Sequence, residues 1–118
     1  MAERIGHGTM VSGGLHSVTG RFVALLEVTD VFRVLDGDDE GVVAYLEHPN
    51  VTMMAPIHDR LAAILCASGD EQAHVAIVAR ELGLPCAVQT ALTRLPAELD
   101  GQVVSVEADG AVVLPAGA

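Results

Sequence analysis

Apolar and polar positions change period several times along the chain, and each change marks a predicted element. Arg21-Phe22-Val23-Ala24-Leu25-Leu26-Glu27-Val28 is rich in β-forming residues and reads as a strand, as does Gly41-Val42-Val43-Ala44-Tyr45-Leu46. Between them Asp36-Gly37-Asp38-Asp39-Glu40 is a polar turn. His48-Pro49-Asn50 breaks the pattern, and Val51 to Ile57 reads as a short helical segment interrupted by Pro56. The apolar run Leu61 to Ala67 ends at Ser68-Gly69, as expected of a buried strand leading into a loop. From His74 onward Val75, Val78, Ala79 and Leu82 recur at spacings of three and four, which predicts a helix stopped by Gly83 with Pro85 just beyond. Pro85-Cys86-Ala87-Val88 is the strand that receives the chain. The stretch from Leu99 to Leu114 holds two further β segments joined through Asp109-Gly110, a tight-turn pair. Residues 1–10 and 115–118 are read as loose ends.

Strand, loop, helix and strand within about 30 residues make a βαβ unit, whose crossover is right-handed and whose ligand sites lie beyond the carboxyl ends of the strands. The expected architecture is a single α/β domain, residues 1–118, with a central βαβ unit and flanking β segments. That places His74 at the edge where ligands bind. Free N–H groups in the first turn of a helix attract anions, phosphoryl groups included, and a histidine there can hold a phosphate as well as sit beside one.

Composition narrows the function classes. With 51% hydrophobic residues the chain is expected to fold without disulfide or metal staples. No apolar run approaches the roughly 20 residues that cross a bilayer, and the first residues lack the pattern of a signal peptide, so a cytoplasmic protein is expected. Sixteen acidic against six basic side chains give a formal charge of −10, which repels nucleic-acid backbones and anionic membranes. Phe22, Phe32 and Tyr45 are too scattered to stack bases. Cys66 and Cys86 lack CxxC spacing and read as buried thiols. His7, His16, His48 and His58 read as surface or loop residues. His58-Asp59 lacks a nameable third ligand, so no metal site is expected.

The residues around His74 resemble the mobile, swivelling phosphohistidine domain of phosphoenolpyruvate-utilising enzymes, the family found in pyruvate phosphate dikinase, phosphoenolpyruvate synthase and rifampicin phosphotransferase. Its motif is approximately Gly-Gly-x-Thr-(Ser/Cys)-His-x-Ala-Ile-x-Ala-Arg-x-x-Gly-Ile-Pro. His74, Ala76, Ile77, Ala79, Arg80, Gly83 and Pro85 match it in position. Ser12-Gly13-Gly14 and Gly20 are similar to the family's opening strand, and Asp100-Gly101-Gln102-Val103 to its closing one. The resemblance implies a swivelling β/β/α-type fold and a phosphoryl carrier with His74 as the phosphorylated, catalytic residue. Gly69, Gln72, Ala73 and Val75 become the expected phosphate-binding positions, and Arg80 a docking or structural residue. It also implies work in trans with a separately encoded nucleotide-binding subunit, or one binding phosphoenolpyruvate or an acceptor. The chain alone binds no cofactor on this reading; Mg²⁺ with ATP or phosphoenolpyruvate belongs to the partner.

Four positions depart from the family pattern. Asp70 stands for the second glycine, Gln72 for threonine, Ala73 for serine or cysteine, and Gln89 for a glycine after the receiving strand. Two readings stay open: a component of a phosphotransferase that carries phosphate, and a noncatalytic swivel-fold subunit acting as a scaffold.

Overall fold

The computed structural model describes residues 3–13, 16–37, 41–48 and 51–114. Gly14, residues 38–40 of the polar turn, the break at 49–50 and the tail 115–118 lie outside them. In chain order the elements are β1 (Glu3–Ser12), β2 (Val18–Ala24), α1 (Val28–Asp36), β3 (Val42–Leu46), α2 (Val51–Met54) running into a 3₁₀ helix (Ala55–Arg60), β4 (Leu61–Cys66), α3 (His74–Leu82), β5 (Cys86–Leu92), α4 (Pro96–Leu99), β6 (Val103–Val106) and β7 (Ala111–Leu114).

The mixed α/β class holds, and the sheet closes on itself. Among the described residues seven strands form a barrel in the order β1-β5-β4-β3-β2-β6-β7. β2, β3, β4 and β5 run parallel to their neighbours in this set, with helices in the connections. β1, β6 and β7 complete the circle through antiparallel pairs, β1 joining both β5 and β7.

The alternation of side chains explains why the central strands read as continuous apolar runs. Phe22, Ala24, Val43, Tyr45, Ala63, Leu65 and Ala87 fill the barrel, where Ile5, Val104, Val106 and Val112 meet them. Their neighbours Val23, Val42, Ala44, Ile64, Cys66, Cys86 and Val88 point outward and pack under the helices, against Val31, Val34, Val75 and Ala79. Strands buried on both faces have no polar side to show. Phe22 and Tyr45 stack inside the barrel with ring centroids 5.7 Å apart.

Three expectations are corrected. Residues 3–10 are not a loose end: they belong to β1, and backbone pairing with two strands holds them. The predicted strand from Arg21 to Val28 ends at Ala24, and α1 begins at Val28. Val28, Thr29, Val31 and Val34 are β-branched and disguise that helix, which packing of Val31 and Val34 stabilises against local propensity. The receiving strand continues from Val88 to Leu92. The hairpin at Asp109-Gly110 is present, with Gly110 at φ 94°; a Cβ there would lie 2.0 Å from the Gly8 carbonyl oxygen, so only glycine fits.

Candidate functional site

The loop carrying His74 is held both to the neighbouring loop and within itself by hydrogen bonds. As β4 ends, the Ala67 N–H donates to the Leu46 carbonyl (2.9 Å) and the Ser68 hydroxyl to the Glu47 carbonyl (3.1 Å), so the loops after β3 and β4 are fastened together. The chain then turns at Gly69, and Asp70 closes a small turn. Its Oδ1 accepts the Gln72 N–H at 2.9 Å, and its carbonyl accepts the Ala73 N–H at 3.1 Å.

α3 starts at His74 with Ala73 as an N-cap that offers no side-chain acceptor. The Ala73 carbonyl takes the N–H groups of Ala76 (2.9 Å) and Ile77 (3.2 Å). The N–H groups of His74 and Val75, the first two helical positions, have no intrahelical acceptor. Val75, Ala76 and Ala79 are buried and fix the helix to the sheet, whereas His74 is exposed. Burying Val75 alone contributes about 1.5 to 3 kcal/mol. At the far end Gly83 adopts φ 71°, and its N–H closes the helix on the Arg80 carbonyl.

Arg80 is a strut. Its Nε donates to the Val11 carbonyl in β1 at 2.9 Å, and its Nη2 donates to the Glu71 carbonyl in the loop before α3. One guanidinium thus ties helix, loop and β1 together through backbone acceptors.

Of the expected phosphate-binding positions, Gln72 and Ala73 already have their N–H groups committed to Asp70 within the loop. Asp70 stands where the family pattern has glycine, and its carboxylate supplies the acceptor that closes this turn. Gly69 supplies a turn at φ 103°, and the Val75 amide sits at the start of the helix beside that of His74. Asp70 and Glu71 also line an open groove with Thr9, Met10, Val88 and Gln89. Gln89 sits at φ 52°, the left-handed region where glycine is favoured, at a register shift between β5 and β1. Sequence reading missed Val11 and Glu71, because a backbone carbonyl leaves no signature in residue type.

The remaining candidates lie apart. His7, His16, His48 and His58 are exposed, and His58 Nδ1 is 2.9 Å from the Ala55 carbonyl oxygen. Cys66 and Cys86 are free and buried beneath α3. The hydrogen bond to Cys86 and burial push the Cys66 thiol up, which keeps it un-ionised and inert. Among the described residues no helix is long and apolar enough to cross a membrane.

Comparison with known proteins bears on this geometry. Residues 38–110 match the family model described as PEP-utilising enzyme, mobile domain. The chain is 37% identical over 89 residues to the phosphoenolpyruvate synthase of Pyrococcus furiosus, covering 75% of this chain and 10% of that protein. It is 32% identical over 106 residues to a probable phosphoenolpyruvate synthase of Archaeoglobus fulgidus, covering 90% of this chain and 13% of that one. The chain therefore spans about a tenth of the length of these relatives. A solved structure of the N-terminal domain of Enzyme 1-Nitrogen shares the fold with a TM-score of 0.60 at 20% identity, over 74% of this chain and 39% of that one. Enzyme I (nEIt) gives a TM-score of 0.55 at 25% identity, over 71% and 34%. With the family model spanning both the His74 loop and the strands that hold it, the chain belongs to the family of PEP-utilising enzyme mobile domains.

Proposed function

We propose that this chain is a phosphoryl carrier working in trans, with His74 as the residue that takes and delivers the phosphate. The observation that carries the reading is the exposed imidazole at the first position of α3, beyond the carboxyl end of parallel strand β4 and inside the matched span. A ring nitrogen of the neutral imidazole attacks phosphorus as the donor's P–O bond breaks, and the leaving oxygen keeps the electron pair. In the return step an acceptor oxygen attacks phosphorus, the N–P bond breaks and the imidazole is regenerated. The amides of His74 and Val75 and the helix dipole favour the phosphate by about 0.3 to 1 kcal/mol.

The donor and acceptor sites belong to a separately encoded ATP- or phosphoenolpyruvate-dependent synthase, dikinase or phosphotransferase in the cytoplasm, and the barrel swivels or diffuses between them. That partner supplies Mg²⁺ and the basic side chains that phosphoryl transfer requires. A second reading, a noncatalytic scaffold, is favoured by one observation: the Asp70 carboxylate, which a glycine would lack, occupies the Gln72 amide. One experiment separates the two. Phosphoramidate treatment followed by ³¹P NMR is expected to give one acid-labile phosphohistidine that is lost in His74→Ala, with the thermal midpoint unchanged within about 2 °C, as for an exposed side chain. Absence of label at His74 while other histidines are labelled would overturn the carrier reading in favour of the scaffold.

A further inference from the structure

α1 carries more apolar surface than the sheet covers. Val31 and Val34 face the core at 5% and 4% exposure, whereas Val28, Phe32 and Leu35 stand 61%, 55% and 36% exposed. These three fall at i, i+4 and i+7, so they form one stripe along the flank of the helix. Leu26, just before the helix, is 46% exposed as well. A bulky aromatic in the middle of an exposed stripe is the composition of a docking surface.

The charges around the stripe select the occupant. Glu27 and Asp36 bracket it and are exposed. The basic residue on the helix, Arg33, is held by Asp30 at 2.8 Å and Asp100 at 3.1 Å. Arg60 is turned onto the carbonyls at the end of α1, those of Val34 and Gly37 among them. The rim therefore presents carboxylates. A second copy would bring the same acidic rim and the same charge of −10 against it.

We propose that the Val28-Phe32-Leu35 face of α1 is a docking surface for a partner protein whose contact element is an amphipathic helix, apolar along its centre and flanked by lysine or arginine. Phe32 is the anchor, and Glu27 and Asp36 pair with the partner's basic rim. The surface is independent of the chemistry at His74.

A labelled synthetic helical peptide with leucine on one face and lysine on the other serves as the probe, with a leucine/glutamate peptide of the same pattern as control and binding read by fluorescence anisotropy. The leucine/lysine peptide is expected to bind and the control not to bind. Phe32→Ser is expected to weaken binding at least tenfold, and the double variant Glu27→Gln, Asp36→Asn to weaken it several-fold with a flatter salt dependence. Leu95→Ser, at an exposed apolar residue outside α1, leaves binding unchanged. Equal binding of both peptides, binding by neither, or binding indifferent to Phe32→Ser overturns the proposal. So does self-association in sedimentation that Phe32→Ser abolishes, since that identifies a second copy as the occupant. His74→Ala leaves peptide binding intact and Phe32→Ser leaves phosphoramidate labelling intact, so failure of one reading is distinguishable from failure of the other.

Discussion

α1 and α3 are both nine-residue helices packed on the same helix-facing side of the sheet, yet their starts are built in opposite ways. In α1, Asp30 reaches back and accepts the N–H groups of Glu27 at 2.9 Å and Leu26 at 3.0 Å, placing a carboxylate in the first turn. In α3 the cap is an alanine, the first turn holds no acid, and the first side chain is an exposed imidazole. The start of α1 is closed by a carboxylate from its own first turn. At α3 the helix is held by Val75 and Ala79 beneath it and by Arg80 beside it, and its N-cap supplies no side-chain acceptor.

Removing the cap is expected to have the largest effect on that comparison. Asp30→Ala should lower unfolding free energy by about 2 kcal/mol, because two backbone donors and Arg33 lose one acceptor; urea titration measures it. The same group gives a pH signature. Burial pushes the Asp30 carboxyl up, but the N–H of Glu27, the Arg33 guanidinium and the N–H of Leu26 together hold it below its ordinary value of 3.8. A carboxylate more acidic when folded contributes stability fully present above its unfolded pKa and lost as pH falls through the folded one. The wild-type advantage over Asp30→Asn should therefore be constant near neutrality and shrink once pH drops below about 4.

At the other helix Arg80→Ala should cost about 1 kcal/mol and speed amide exchange at Gln72 and Ala73, since the loop loses its tie to β1. Arg80→Lys should not restore protection, because a single ammonium does not reproduce the guanidinium's fixed fork toward two separate carbonyls. The smallest expected change is a gain. Gln89→Gly relieves a left-handed backbone at φ 52°, and the benefit exceeds glycine's added chain entropy by about 0.5 kcal/mol, a rise in thermal midpoint readable by calorimetry.

The two helices also show what sequence reading reaches. α3 was legible because its apolar spacing, its Gly83 stop and the match around His74 all lie within seventeen residues, 69–85. α1 was hidden by its valines, and part of what anchors it, the contact of Arg33 with Asp100, spans 67 positions. Barrel closure was illegible for the same reason: β1 pairs with β5 and β7, strands from the opposite end of the chain. At the site, the place of His74 followed from pattern. The engagement of the loop amides by Asp70 did not, since a residue's identity does not say which donors it will take.

A barrel with no free margin has a consequence for how such a molecule keeps company. Among the described residues each strand already has a neighbour on either side, so these strands leave no row of main-chain donors and acceptors as a template onto which another polypeptide can zip. What these strands leave for contact with another protein is the side chains of the helices and loops around them. For the carrier proposed above, which would leave each host it visits, a closed sheet offers nothing to which a visitor can be stitched.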